Sequence, residues 1–210
     1  VDGFGPQIIF RATDSGATNQ ALGQMSFERS GADNSGKFRL QSKVAGADNT
    51  LMVIYPTGEM QLPDQPCFLG KPSAERTNVT GDGTNFPMGF DSEYFDQGGN
   101  MAHAGSPPAS TFTAPVDGRY IFSGSITISG LSSMESIIIR VIAPSASFIA
   151  QCFNGTTIGT DSVNGVLALP FTIPLNMTAS DTAYIRLTVS GGGKTLDVSA
   201  LSFLGVYLMA

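Results

Sequence analysis

The sequence predicts an all-β protein. No window of a dozen residues keeps apolar side chains at helical spacing without interruption by Gly, Pro or β-branched clusters. Instead, short segments of β-branched and aromatic residues recur, and turn residues such as Pro56-Thr57-Gly58 and Gly191-Gly192-Gly193 separate them. At 210 residues, 41% of them hydrophobic, the chain can form one large β domain with an appended segment.

Residues 1–66 are predicted to form a separate β-rich segment that ends in the proline-bearing stretch 63–66. Its strands are expected at 7–12, 22–29, 37–42 and 50–55. A segment of this size with long Ser, Gly and Asn loops offers a thin core, so we expect it to take stability from neighbouring copies of the same chain.

Residues 67–210 are predicted to form a second domain, with strands at 120–128, 136–142, 183–189 and 196–208. Between Tyr120 and Ile128, apolar residues alternate with Ser and Thr, which indicates one buried face. The stretch 144–153 is not expected to form a standard strand.

The last strand is apolar on both faces. Leu204, Val206 and Leu208 fall on one side. Leu201, Phe203 and Tyr207 fall on the other. Antiparallel sandwiches normally expose one face of each sheet to water, so we expect the second apolar face to be covered in a symmetric homo-oligomer.

Charge and hydropathy exclude several function classes. The net charge is −6, which argues against nucleic acid as a ligand. No apolar run approaches the roughly 20 residues of a membrane span, so we expect a soluble chain without membrane insertion. The chain begins at Val1, and we expect it to be part of a longer protein. Cys67 and Cys152 are interpreted as buried thiols, with one disulfide as the alternative.

The block Phe112-Thr113-Ala114-Pro115-Val116-Asp117-Gly118-Arg119-Tyr120-Ile121-Phe122 resembles the most characteristic motif of the complement globular-head domains, relatives of tumour necrosis factor. This resemblance implies a ten-stranded antiparallel jelly-roll sandwich over residues 67–210, assembled as a homotrimer. We assign the aromatic residues Phe68, Phe203 and Tyr207, together with Leu201, to the trimer interface.

Residues 78–84 and 90–100 are similar to the version of this family found at the tips of phage and large-virus fibre proteins. Residues 1–66 resemble the β-structured stem that precedes such tips. The resemblance implies a homotrimeric fibre or spike head on the virion surface, adjoining other fibre segments. Its role would be attachment to a glycan or protein receptor on the host cell through residues that the sequence does not identify.

Three alternatives remain open at this point. A trimerisation cap or capsid decoration protein would have the same fold and bind no receptor. A glycan-cleaving tailspike would use paired carboxylates, for which Asp91, Glu93 and Asp96 are the candidates, with Asp91 and Glu93 on one face of a strand. A secreted lectin-like protein is the third alternative, disfavoured by the fibre-like leading segment.

The prediction is nevertheless a protein that is not an enzyme and has no catalytic residues. The single histidine, His103, lies in a sequence typical of an exposed loop, and no zinc or nucleotide-binding motif occurs. Asp82 and Asp96, on glycine-rich loops, are the candidate calcium ligands, although Asp-Gly pairs are also typical of ordinary turns. No other cofactor is predicted.

Overall fold

The computed structural model describes residues 5–13, 19–31, 35–106, 109–130, 136–144, 146–154 and 166–209. These residues form strands and loops without any helix, which confirms the all-β class. Among them there is accordingly no helix long and apolar enough to span a membrane. The chain divides into two compact units, Val1–Gln65 and Pro66–Ala210, whereas the sequence placed the boundary after residue 66.

The first unit is a single antiparallel sheet in which sequence order equals spatial order. Four of its five strands lie where the sequence predicts them, and the two-residue fifth strand is too short to leave a pattern. The strands are β1 (Gln7–Thr13), β2 (Asn19–Arg29), β3 (Gly36–Val44), β4 (Ala47–Ile54) and β5 (Met60–Gln61).

The first unit has almost no core of its own. Val53, at 6% exposure, is the one buried hydrophobic residue among its described residues. Large apolar side chains lie exposed along the sheet: Ile8, Ile9, Phe10, Leu22, Phe27, Val44, Leu51, Tyr55, Met60 and Leu62. A single sheet of this kind needs a further layer to bury these side chains.

The second unit contains thirteen strands within its described residues, against the ten that the resemblance implies. Every strand pair is antiparallel. The strands are β6 (Cys67–Lys71), β7 (Arg76–Thr80), β8 (Asn85–Pro87), β9 (Ser92–Gln97), β10 (Met101–Ala104), β11 (Ala109–Thr113), β12 (Gly118–Ser129), β13 (Ser136–Ala143), β14 (Ala146–Asn154), β15 (Leu167–Met177), β16 (Thr182–Ser190), β17 (Leu196–Val198) and β18 (Phe203–Met209).

These strands form two sheets that pack face to face as a jelly-roll-like sandwich. The six-stranded sheet has the order β10-β11-β16-β13-β14, with β8 also paired to β16. The seven-stranded sheet has the order β7-β17-β12-β18-β6-β9, with β15 also paired to β12. Buried side chains from both sheets belong to one hydrophobic cluster, so the space between the sheets is the core of the unit.

Aromatic packing joins the two sheets at the block 112–122. The ring of Phe112 on β11 lies 5.3 Å from that of Tyr120 and 5.8 Å from that of Phe122, both on β12. Tyr120, Phe122, Ile126 and Ile128 are all fully buried, which confirms the predicted buried face of this strand. The Tyr120 hydroxyl donates to the backbone oxygen of Val116 at 2.8 Å, so this buried polar group is satisfied.

The predicted strand 196–208 is in fact two strands, β17 and β18, separated by a turn at residues 199–202. Ser202, fully buried, fixes this turn. Its Oγ accepts from the Thr127 backbone N–H at 2.9 Å and donates to the Thr127 oxygen at 3.3 Å. Hydrophobic pattern does not reveal such a side-chain-to-backbone bond, which is why the sequence analysis missed the break.

Two further expectations are corrected by the structure. The stretch 144–153 was not expected to form a standard strand, but most of it belongs to β14 (Ala146–Asn154), which pairs with β13. His103, expected in an exposed loop, lies on β10 and is half-buried. β10 pairs directly with β11, so His103 belongs to an antiparallel strand pair.

The core of the second unit supplies a first prediction. Phe122→Ala removes a ring with no solvent exposure that touches Phe112 across the sandwich, so we expect it to lower the free energy of unfolding by about 3–5 kcal/mol. Val116→Ala, at a side chain 46% exposed, is the matched control and should change stability by less than about 0.5 kcal/mol. Denaturant titration followed by near-ultraviolet circular dichroism measures both, and equal effects would contradict the assignment of this core.

Candidate functional site

The candidate site is the outer face of the seven-stranded sheet, where apolar side chains point away from the core. On β18, Leu204 and Val206 are buried, whereas Phe203 and Tyr207 are each 44% exposed. The two apolar faces predicted from the sequence of this strand are therefore present. One of them is used by the core of the unit.

Strand register extends this apolar surface across the sheet. Tyr207 pairs with Ile121 on β12 and with Cys67 on β6. Directly paired residues lie on the same face of a sheet, so these side chains are neighbours. Two positions along, Leu69 on β6 pairs with Phe95 on β9, which is 48% exposed. We call Leu69, Phe95, Ile121, Phe203 and Tyr207 the outer apolar face.

The centre of this face lacks bulky side chains. Gly205 lies between Ser123 and Leu69 in the ladder. The Ser123 hydroxyl bonds to that of Thr172 on β15 at 2.9 Å, and no charged side chain joins this row. A largely apolar surface without charge in its central row is typical of a protein–protein interface.

Phe68 does not belong to this face, contrary to the sequence prediction. Its side chain is 2% exposed and points into the core of the protomer, because it alternates with the outward-facing Cys67 and Leu69. A side chain buried inside one protomer cannot contact a second one. Phe68 therefore supports β6 from within.

Leu201 is not on the strand that carries Phe203 and Tyr207. It lies in the turn between β17 and β18 and is 76% exposed, so it projects beside the strand face. Its backbone N–H donates to Ser199 Oγ at 3.1 Å, which helps hold the turn.

Cys67 is a free thiol at the edge of the outer apolar face and is half-buried. Burial raises its pKa above the ordinary value, and the nearby charge of Asp96 raises it further, so the thiol stays protonated at neutral pH. The side chain of Cys152 lies outside the described part of the structure.

The three carboxylates considered for glycan cleavage are not brought together. Asp91 lies one residue before β9 and not on it. Its oxygens accept from the Ser73 N–H at 3.1 Å and the Ser73 hydroxyl at 2.6 Å, and one lies 2.8 Å from Arg76 Nη2. Burial raises its pKa, but the Ser73 and Arg76 hydrogen bonds outweigh this and lower it to about 2. A general acid requires the opposite shift.

Glu93 takes part in a hydrogen-bonded chain that the sequence analysis did not find. Its Oε1 lies 2.8 Å from His103 Nε2, and His103 Nδ1 lies 2.7 Å from Ser110 Oγ. The order Ser–His–Glu is that of a hydrolase triad. However, Ser110 is 2% exposed, and its Oγ accepts the Phe90 backbone N–H at 2.6 Å, so a substrate carbonyl has no access to it.

This chain has a structural effect instead. Glu93 is on β9 of the seven-stranded sheet, whereas His103 and Ser110 are on β10 and β11 of the six-stranded sheet. The Glu93–His103 contact therefore joins the two sheets at one edge of the sandwich. No short sequence pattern predicts it, because the three residues meet only when the sandwich closes.

The calcium candidates Asp82 and Asp96 each serve their own turn. Asp82 Oδ1 accepts the Thr84 N–H at 3.0 Å, and hydrogen bonds from the Thr84 side chain and then its backbone lower the Asp82 pKa. Asp96 accepts the N–H groups of Asn100 at 3.0 Å and Met101 at 2.9 Å. Within the described residues, no three His, Cys, Asp or Glu side chains are grouped closely enough to hold a metal ion.

Comparison with known proteins gives only structural matches. No family model and no curated protein matches the chain. It is similar to the globular domain of zebrafish complement 1qA protein, with 17% identity and a TM-score of 0.45 over 70% of this chain and 98% of that one. It is also similar to murine APRIL at pH 8.0, with 9% identity and a TM-score of 0.45 over 69% of this chain and 99% of that one. A third similar structure is Eiger TNF from S. frugiperda, with 14% identity and a TM-score of 0.44 over 69% of this chain and 91% of that one. None of these three is, by its name, a virus or phage fibre.

The pairing of Asp91 supplies a prediction on pH dependence. The pKa of Asp91 is lowered in the folded protein, so its ionised carboxylate stabilises the fold. This contribution to stability is present above the ordinary pKa of 3.8 and is lost as pH falls towards 2. We expect Asp91→Asn to cost about 1–2 kcal/mol at pH 7 and to flatten the fall in stability between about pH 4 and pH 2.

The control for this prediction is Glu75→Gln. Glu75 is exposed, lies in the loop that carries Ser73 and makes no hydrogen bond or ion pair with the described residues, so its replacement should leave the pH profile unchanged. Unfolding free energies measured across this pH range test both variants. A wild-type profile that Asp91→Asn leaves unaltered would show that the Ser73–Arg76–Asp91 contacts contribute nothing.

Proposed function

We propose that the chain is the homotrimeric head of a virion fibre or spike, together with the end of its stem, and that it attaches the particle to a receptor on the host cell. In this proposal the second unit is the head and residues 1–66 are the stem segment. The observation that carries it is the exposed outer apolar face, which a single chain leaves uncovered.

The outer apolar face supports self-association. Phe203, Tyr207 and Phe95 each expose more than two fifths of their surface. Aromatic side chains in a largely apolar patch are typical anchors of stable interfaces, and copies of the same chain are the simplest partners. The number three comes from the family that residues 112–122 resemble. Leu201, Phe203 and Tyr207 remain the proposed interface residues.

The first unit supports the same assembly. Its single sheet leaves ten large apolar side chains exposed, and it has one buried hydrophobic residue within its described part. In a trimeric stem, such faces would pack on those of the two other chains. This packing would supply the missing layer without any additional protein.

Trimerisation also suits attachment by weak contacts. Three identical sites on one rigid head raise the apparent affinity by roughly 10²- to 10⁴-fold when they engage together. The chain has only 13% charged residues, and the polar groups on its surface are largely hydroxyls and amides, which suit hydrogen bonding to sugars.

We expect the wild-type chain to sediment with a mass of three times 21.9 kDa. Tyr207→Glu and Phe203→Glu each place a charge in the buried interface, so we expect either to shift the equilibrium to monomer. Ile149→Glu is the matched control, because Ile149 is 54% exposed on the outer face of the other sheet, and it should remain trimeric. A monomeric wild-type chain would contradict the proposal.

Attachment itself is tested with the fluorescent full-length chain on a panel of bacterial and eukaryotic cells. We expect saturable binding to some cells, and at least about 10²-fold weaker binding by monomeric Tyr207→Glu, which loses avidity. Trimers without saturable binding to any cell would instead support a structural cap. Release of sugar reducing ends that disappears in Glu93→Gln would support a tailspike.

A further inference from the structure

Two arginines lie side by side on the outer face of the six-stranded sheet. Arg140 on β13 pairs directly with Arg186 on β16. Residues opposite each other in an antiparallel ladder have Cβ atoms about 4.5–5.5 Å apart and share a face. Both side chains are half-buried, and Pro87 on β8 and Ile149 on β14 flank them on either side in the same row.

The two positive charges have no counter-charge on their own sheet. The six strands β8, β10, β11, β13, β14 and β16 contain no Asp or Glu. The chain as a whole has 17 acidic and 11 basic side chains, so two adjacent arginines without an acid are unexpected. Like charges placed directly opposite each other destabilise a sheet.

Neither guanidinium is satisfied by the protein. Within the part of the chain that the structure describes, Arg140 and Arg186 make no hydrogen bond and no ion pair. By contrast, Arg39 lies 3.2 Å from Glu28, and Arg76 lies 2.8 Å from Asp91. The Nε atoms of Arg39, Arg76 and Arg186 are all buried without a partner, but only Arg186 also has no carboxylate at its other guanidinium nitrogens. A buried donor without an acceptor is costly, and such groups in folded proteins call for an explanation.

The surroundings of the pair are rich in hydroxyl groups. Thr188, two residues from Arg186 and on the same face, bonds to Asn85 Oδ1 at 2.7 Å. One step further, Ser136 and Ser190 bond through their hydroxyls at 2.8 Å. Tyr184 lies on the opposite side of Arg186 along β16, so its phenol ring is on the same face. Such a surface can hydrogen-bond sugar hydroxyls and contact the apolar side of a sugar ring.

We propose that Arg140 and Arg186 bind the oxyanion of an acidic polysaccharide, a carboxylate or a sulfate, held between the two guanidinium groups. Arginine presents planar, paired N–H donors that match the oxygens of such groups. A bound oxyanion would offset one of the two positive charges and supply hydrogen-bond acceptors to both guanidinium groups. The hydroxyl-rich neighbours favour a glycan over an acidic protein surface. This inference rests on the proposed attachment function, because it names the class of receptor.

The experiment measures binding of the full-length chain to three polysaccharides at about 0.15 M salt, where long-range charge effects are screened. Polygalacturonate presents carboxylates, dextran sulfate presents sulfates, and unmodified dextran is the neutral reference. We expect saturable binding to one or both acidic polymers and none to dextran. The acidic polymer that binds more tightly identifies the oxyanion as a carboxylate or a sulfate.

Variants assign the site. Arg140→Gln and Arg186→Gln should each weaken binding by about tenfold or more, because each removes charge-assisted hydrogen bonds. Arg140→Lys keeps the charge and loses the paired donors, so it should recover only part of the affinity. Lys194→Gln removes the same charge from an exposed loop and should change affinity by less than about twofold.

A fifth variant tests the geometry directly. Ile149→Glu introduces a carboxylate opposite Arg140, so it should compete with the ligand and weaken binding while raising the thermal midpoint. Arg140→Gln removes the like-charge contact and should not lower the midpoint, which separates loss of binding from loss of folding. No binding to either acidic polymer, or equal losses in Arg140→Gln and Lys194→Gln, would overturn the proposal.

The site and the attachment function fail in different ways. If the wild-type chain binds cells saturably and Arg140→Gln/Arg186→Gln binds them equally well, attachment stands and this site is not its receptor site. If the chain binds an acidic polymer through these arginines and binds no cell, the site stands and the attachment function does not.

Discussion

A strand in a two-layer sandwich can bury only one of its faces against the opposite sheet. In the second unit, this constraint acts most strongly on β18, where Leu204 and Val206 fill the core and Phe203 and Tyr207 are left outside. The proposed assembly depends on this constraint. Because the strand is apolar on both sides, the fold of one chain cannot bury all of its apolar side chains. A surface suited to another copy is the physical consequence of that surplus.

The two outer faces of the sandwich are chemically different. The outer face of the seven-stranded sheet is apolar and carries no charge in its central row, which suits permanent contact with another protein. The outer face of the six-stranded sheet carries hydroxyls and two adjacent arginines, which suits a hydrated, anionic ligand. If copies associate through the first face, the second stays accessible. Assembly and recognition would therefore use opposite sheets of the same unit.

Buried hydroxyl groups fix the segments that the strands alone leave undetermined. Thr80, fully buried, accepts the Val189 N–H at 3.1 Å and lies 2.7 Å from the Thr84 backbone oxygen. Ser202 bonds to the backbone of Thr127, and Ser110 to Phe90 and His103. Each hydroxyl satisfies backbone groups where a strand ends or a loop enters the core. Together they show why several small polar residues lie inside a largely apolar sandwich.

The sequence by itself determined the all-β class, the buried face of β12 and the two apolar faces of β18, because alternation along one strand is a local property. Tertiary structure alone decided the burial of Phe68, the turn that separates Leu201 from β18, and the separate partners of Asp91, Glu93 and Asp96. It also decided the pairing of Arg140 with Arg186. These features depend on register and on contacts between residues far apart in the chain, and spacing along one strand carries no information about which strand lies beside it.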